Sequence, residues 1–425
     1  VSWTNVAVGF PGDFAGLLIG RTSASVWDFG DGVVVSNRPW TSHTWTAPGV
    51  YRVTLRAYNE SNPGGVDAAV TVDVLAQPVH YVAVDSASPA IPYGSWATAA
   101  RTIQEAVDAT RVPGALVLVS NGVYATGGRV VQGLMTNRVA VDRPVTVRSL
   151  NGPEVTIIQG NQMPGTTNGD SAIRCGYLTN GAVLSGFTLT KGATRTSGDW
   201  FWERSGGGVW CESRAAFLTN CILTRNAASY LGGGVYSGTL NDCLLATNSA
   251  TDGGGGASSG TLKNCTLTGN STSGSGGGAS YGDLSTCLIT GNSARQGGGV
   301  SSGTLEHCTL AGNSATDGGG VDASTLNNCI LATNLALADG GGTYSGALNN
   351  CTVAGNSARY GGGACYGELN NSTLAGNSAT FRGGGTYRGT GSNCIVYYNR
   401  APWDSNYTAS TFNSRSRCTV IVERA

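Results

Sequence analysis

A chain of 425 residues is long enough for two domains and one long continuous core. Its 25 basic and 25 acidic residues cancel to a formal net charge of zero, which speaks against nucleic acid as the main partner and against an anionic membrane surface. No apolar run approaches the roughly 18 residues of a membrane span, and the 66 glycines fall in register with Leu, Val and Ile, a pattern unlike disorder.

The chain opens at Val1 without a charged-then-apolar leader, as expected of a processed secreted protein or an excerpt of a longer polypeptide. Residues 1–76 show short strand-like runs cut by turns. Asp28 and Asp31 flank a tight turn whose left-handed positions fall to Gly30 and Gly32. Tyr51, Val53 and Leu55 alternate with Arg52, Thr54 and Arg56, the period of a half-buried strand. Trp27, Phe29, Val53 and Leu55 are the expected core. Two stretches, Trp27-Asp28-Phe29-Gly30-Asp31-Gly32 and His43-Thr44-Trp45 through Pro48-Gly49-Val50-Tyr51 to Val53 and Leu55, resemble the W-D-F-G-D-G and H-x-Y-x-x-P-G-x-Y-x-V-x-L motifs of polycystic-kidney-disease (PKD) domains. Trp45 stands where that pattern has tyrosine. The resemblance implies an Ig-like β-sandwich of the extracellular, carbohydrate-associated kind. A PKD domain usually has a strand ahead of the stretch matched by Val1–Asn5, so an open edge is expected here.

After a linker at Ala76–Val79, Ser95–Thr110 places Trp96, Ala99, Ile103, Ala106 and Val107 on one face at helical spacing, with Ser95 as N-cap. Such a helix suits the covering of a solenoid's open end. Irregular strand-like runs follow, from Ala115–Val119 to Phe187–Leu189.

From Cys221 to Asn399 one phrase recurs nine times, approximately G-G-G-x-x-S-G-x-L-x-N-C-x-L-x-x-N-S-A, every 21 or 22 residues. It closes on Asn226, Asn248, Asn270, Asn292, Asn313, Asn334, Asn356, Asn377 and Asn399. Five residues earlier runs a second column: Cys221, Cys243, Cys265, Cys287, Cys308, Cys329, Cys351, Ser372 and Cys394. That period predicts a stacked solenoid. Leu240, Cys243 and Leu245 and their counterparts face inward, and Val235, Ala257, Ala279, Val300 and Val321 line a third wall. The cysteines are expected to be buried free thiols, and the asparagines a ladder in turns tolerant of left-handed geometry. The segment from about 80 to 400 resembles the right-handed parallel β-helix of the pectate-lyase-like superfamily. More narrowly, it is similar to secreted bacterial surface proteins with serial N-C-T-L-x-G-N-S-A-x-x-G-G-G coils. The resemblance implies a fold that hosts lyases, hydrolases and adhesins alike. The expected class is all-β: a PKD-like β-sandwich (1–76), a linker and short capping helix (77–110), a right-handed parallel β-helix (111–400, regular from about 206) and a tail (401–425).

Candidate chemistry lies where the phrase varies. Asp317 and Asp339 share one position on adjacent coils, with Asp322 close by, the kind of carboxylate pair that hydrolysis uses. The same position carries Gln296, Tyr360 and Arg382 elsewhere, as a plain turn would. The insertion Arg195–Arg214 sets Trp200, Trp202, Glu203, Arg204 and Trp210 together, the aromatic and charged groups of a sugar groove or of a loop packed by its own rings; Glu203 is also a weak catalytic candidate. His43, His80 and His307 form no zinc spacing and no cofactor is indicated, Ca²⁺ being the one cation that lyase chemistry on this fold would use. Cys365 stands outside the ladder, as a surface thiol or half of a local disulfide. Near the end, Thr419, Val420, Ile421 and Val422 form a strand signal with no evident coil to join, which suggests donation to the sandwich of another copy and head-to-tail fibres. The expected protein is thus an extracellular, bacterial cell-surface component with structural or adhesive character, a homopolymer or a polysaccharide its expected partner. A polysaccharide lyase, a glycoside hydrolase and a pure glycan-binding module are the alternatives.

Overall fold

The computed structural model describes residues 1–412 and 419–421 and divides into two compact units, Val1–Val119 with Arg143–Arg148, and Ser120–Asp142 with Ser149 onward. In the first unit seven strands build a sandwich: β1 (Asn5–Ala7), β2 (Gly12–Ala15), β3 (Ala24–Asp28), β4 (Val34–Ser36), β5 (Trp40–His43), β6 (Gly49–Asn59) and β7 (Asn62–Leu75). One sheet has the order β1-β7-β6-β3-β4, and β2 and β5 pair as the second. The expected core residues Trp27, Phe29, Val53 and Leu55 are buried, together with Phe14, Trp45, Val72 and Val74. Trp45 keeps a polar handle inside the core by donating its indole N–H to the Phe29 carbonyl at 3.3 Å. Gly30 and Gly32 have φ of 78° and 90°. Asp28 accepts the Gly30 N–H and Asp31 the Val33 N–H, so the turn closes as its sequence requires. The edge is open: β1 covers β7 only at Asp73–Leu75.

Further along this unit, β8 (Val79–Val82) pairs in parallel with β9 (Leu116–Val119), and α1 (Ile103–Ala109) packs on both. The helix is shorter than its apolar spacing suggests. Trp96–Thr98 makes a separate 3₁₀ turn, Ala99 returns to extended backbone, and the N-cap is Thr102 rather than Ser95. Thr102-Ile103-Gln104-Glu105 is a capping box: Thr102 accepts the Glu105 N–H at 3.2 Å and Glu105 accepts the Thr102 N–H at 2.9 Å.

The second unit is a parallel β-helix. Each regular coil contributes short strands that pair in parallel with the same strands of the next coil. Two interior columns are Leu218, Leu240, Leu262, Leu284, Leu305, Leu326, Leu348 and Leu369, and Leu223, Leu245, Leu267, Ile289, Leu310, Leu331, Val353 and Leu374, all buried. Val235, Ala257, Ala279, Val300 and Val321 form the third wall as expected. Within a glycine triplet the three residues have different tasks. Gly232 takes φ 65°, whereas a Cβ on Gly233 would collide with carbonyl oxygens of Ser249 and Gly255 in the next coil.

The asparagine ladder is present and buried. Asn248 accepts the side-chain amide of Asn226 at 3.0 Å and donates to Asn270 at 3.0 Å, and this continues to Asn399. The left-handed backbone, however, belongs to the residue before each ladder asparagine, such as Arg225, Thr247 and Thr333. Each asparagine side chain must enter the interior, and the bend that turns it inward lies one residue earlier. The described cysteines are free and buried. Cys365 is among them, which removes the expectation of a surface thiol.

Thr419–Ile421 pairs in parallel with Ile395–Tyr397. This strand does have a coil to join, contrary to the expectation from sequence, because it continues the register of the sheet built from each coil's Leu/Ile/Val strand. Val422 lies outside the described residues. No helix among the described residues is long and apolar enough to cross a membrane.

Candidate functional site

The insertion at 195–214 is a loop held by buried charge. Arg174, wholly buried, donates to the carbonyls of Trp202, Ser205 and Gly206 at 2.7–2.9 Å and to Asn137 Oδ1 at 2.9 Å. Burial lowers its pKa to about 9. Glu203, also buried, accepts the N–H groups of Leu134 at 2.7 Å and Asp199 at 2.8 Å and lies 3.3 Å from the Arg195 guanidinium. It is therefore a latch that ties the loop to the backbone at Leu134, and its carboxylate is not presented to a substrate. Asp199 in turn accepts the N–H groups of Phe201 and Trp202, which sets the direction of the three rings that follow it.

Those rings divide into buried and exposed. Trp210 is 3% exposed and stacks between Tyr177 (5.3 Å, 15° between planes) and Tyr236 (6.2 Å, 13°), with Trp202 tilted on it at 5.1 Å. Packing accounts for Trp210. Trp200, Phe201 and Trp202 are 54%, 47% and 42% exposed, three consecutive large aromatics facing solvent. Arg204 lies 4.3 Å over the Trp200 ring and supports its inner face. Behind the patch, Glu212 accepts from the Tyr177 and Thr179 hydroxyls at 2.5 Å and from the Asn180 N–H. Burial pushes its pKa up, but these donors outweigh it and hold it below the ordinary value. The rim is thus rigid at its base and aromatic at its surface.

Asp317 and Asp339 do meet: Asp317 Oδ1 accepts the Asp339 N–H at 3.3 Å. Burial first, then the charge of Asp317, raises the pKa of Asp339. Asp322 is also raised, chiefly by burial and despite a 3.3 Å hydrogen bond from Ser301. Glu203 is not part of this group. Along one largely buried strand column, Trp210, Tyr236, Ser258, Ser280, Ser301 and Asp322 follow one another coil by coil. Five steps at about 4.8 Å put the two places roughly 24 Å apart.

Beyond the aspartates the same column continues through Tyr344, Cys365 and Tyr387. Tyr344, Tyr360, Tyr366, Phe381 and Tyr387 form a contiguous ring cluster with centroids 5.1–6.4 Å apart. Arg388 stands over Tyr387 at 5.2 Å and donates to the Tyr366 hydroxyl at 2.8 Å. Sequence reasoning missed this cluster, as it missed Arg174. Only part of it had a signal: the second residue after the glycine triplet is tyrosine at Tyr344 and Tyr387, whereas Tyr360, Tyr366 and Phe381 stand at other positions of their coils. Among the described residues no cluster of three His, Cys, Asp or Glu side chains is placed to hold a metal ion.

Residues 6–74 match the PKD domain family, so the sandwich is a PKD domain. No curated protein matches the chain. Among solved structures the chain is similar to the PL6 family alginate lyase AlyGC, at 11% identity and a TM-score of 0.36, with 75% of this chain and 51% of that one covered. It thus spans about half the length of that lyase. It is similar to pectate lyase Pel9A at 13% identity and a TM-score of 0.32, covering 79% of this chain and 78% of that one. It is also similar to PfbA, a surface adhesin of Streptococcus pneumoniae, at 11% identity and a TM-score of 0.26, covering 79% and 91%.

Proposed function

We propose that this chain, which carries a PKD domain and a parallel β-helix, is an extracellular surface protein that binds polysaccharide without processing it. The observation that carries the reading is the rim Trp200-Phe201-Trp202: three exposed rings on a loop held by Arg174, Asp199 and Glu203. Aromatic faces stack on the apolar faces of sugar rings, and a rigid base means that little order is lost on binding. Donor-strand assembly would require Thr419–Ile421 to leave its pairing with Ile395–Tyr397, so binding by the single chain is the primary reading. Affinity electrophoresis against neutral and uronic-acid polysaccharides tests it. Retardation by at least one polymer is expected, with affinity lowered at least about tenfold when Trp200, Phe201 and Trp202 are all changed to alanine and the melting temperature is unchanged. A wild-type chain that binds none of them, or a triple variant that binds equally well, overturns it.

A second reading has its own observation, the raised carboxyls of Asp322 and Asp339 beside Asp317 on adjacent coils. A carboxyl whose pKa is raised by burial beside a second carboxylate can act as the general acid in glycoside hydrolysis. Release of reducing ends that vanishes in Asp317→Asn would establish it in place of pure binding.

A further inference from the structure

We propose that two copies of this chain associate face to face through one flat side of the β-helix, with their helix axes antiparallel. The surface is the sheet whose strands run Thr188–Thr190, Ile222–Thr224, Leu244–Ala246 and onward to Ile395–Tyr397, ten coils in continuous register. The middle residue of each strand is buried, and its two neighbours point outward in two columns. Neither column holds a charged residue over those ten coils. The 14-stranded sheet buries an equivalent leucine column but sets Lys263, Asp283, Glu306 and Glu368 on its outward positions. Interior packing is alike behind both sheets and cannot be the reason that one of them avoids charge. Large apolar side chains stand in water on the uncharged sheet: Leu288, Ile330 and Ile395 are 43–46% exposed. A long apolar strip of this kind marks an interaction surface.

Side-chain size points to a second copy as the partner. The first column mixes threonine with leucine and isoleucine in an order that is complementary to its own reverse. A two-fold axis parallel to the strands, passing between the Leu288 and Thr309 coils, sets every large residue against a threonine. Leu288 then faces the second copy's Thr309, Ile330 faces Thr266, Leu244 faces Thr352, Ile222 faces Thr373 and Ile395 faces Thr188. Moving the axis by half a coil or one coil in either direction sets at least one large residue against another. The second column offers no obstacle, being threonine or alanine as far as Ala375. The turn residue after it follows the same rule: Arg225 meets the second copy's Gly376, Thr247 meets Gly355 and Thr333 meets Gly269. Parallel axes would instead lay the first column on the second, where alternation within a column serves no purpose. A partner without the coil repeat of about 4.8 Å would meet these ridges out of phase. Ten coils and a strip about 10 Å wide give roughly 500 Å² on each copy, roughly 1,000 Å² in all, the size of a weak but specific dimer.

Sedimentation equilibrium of the full chain, from about 1 to about 500 µM, measures the dimer dissociation constant. The proteins are wild type, Thr309→Leu, Leu288→Thr and the exchange of both. Each substitution is on an outward position, and matching melting curves verify that the fold is kept. Wild type should dimerise with a constant on the order of 10 µM. Thr309→Leu sets leucine against leucine at two contacts related by the axis, and should raise the constant at least about tenfold. Leu288→Thr opens a gap at the same two contacts and should raise it comparably. The exchange again sets large against small, so its constant should return to within about threefold of wild type. A wild-type chain that stays monomeric at the highest concentration overturns the proposal, even if this face adsorbs to ice or crystalline cellulose instead. A dimer that Thr309→Leu leaves unchanged or strengthens also overturns it, since the contact then lies elsewhere or the axes run parallel. An exchange variant that stays as weak as the single variants rules out the size pairing and the proposal with it.

Discussion

At the scale of single residues, the β-helix is held by two buried columns with different tolerance. Asn292 makes four ladder bonds. Its amide donates to the Leu267 carbonyl and to Asn313, and its carbonyl accepts both the backbone and the side-chain N–H of Asn270. Replacing it with alanine leaves several buried groups without partners, a loss on the order of 3 kcal/mol or more. Urea denaturation should show the midpoint falling accordingly, and an unchanged midpoint would mean that the ladder is decorative. The cysteine column behaves otherwise. Cys287 donates to the Ser285 carbonyl at 3.3 Å, while Ser372, already in the same column, donates to Asn370 at 2.9 Å and accepts the Cys351 N–H at 3.1 Å. A hydroxyl thus satisfies the position, so Cys287→Ser should cost less than about 1 kcal/mol, whereas Cys287→Ala removes the donor and opens a small void. The same denaturation experiment checks the order, Asn292→Ala well below Cys287→Ser.

At the scale of elements, the turn Asp28–Gly32 in the PKD domain links geometry to pH. Asp31 accepts the Val33 N–H and lies 2.7 Å from His43 Nε2, and His43 stacks on Phe29 at 4.1 Å. Burial pushes the Asp31 pKa up, but the His43 and Val33 hydrogen bonds prevail and hold it below its ordinary 3.8. A carboxyl depressed by folding contributes stability that is present above the unfolded value and disappears as pH falls through the folded one. Hydrogen-exchange protection of residues 24–45, corrected for intrinsic rates, should therefore decline on acidification below about pH 3.8. In Asp31→Asn it should be lower at neutral pH and lack that decline; equal slopes in the two proteins would count against the link. This turn was legible in sequence because aspartate and glycine dictate its backbone locally, and Trp27, Phe29, Val53 and Leu55 were legible through alternation. The helix was legible as an apolar face but not in its extent, since the Thr102–Glu105 capping box competes with the longer pattern starting at Ser95. The aromatic cluster at 344–387 was not legible, because the rings that touch are 21 to 27 residues apart and become neighbours only when the coils stack. Glu203 was misread for the opposite reason: it is adjacent in sequence to exposed tryptophans, but its carboxylate turns inward to Leu134 and Asp199.

At the scale of the whole β-helix, coils interact with their immediate neighbours, so the array should tolerate loss of a complete unit and reject loss of half of one. Removing Ser271–Asn292 joins Asn270 to Ser293. The ladder then passes from Asn270 to Asn313 with every column still in phase, because that segment is one full period between successive ladder asparagines. Removing only half of the segment would bring a Leu strand against a glycine turn and expose interior residues along every following coil. The expected outcome is a cooperative, strand-rich protein by circular dichroism in the first case and aggregation in the second.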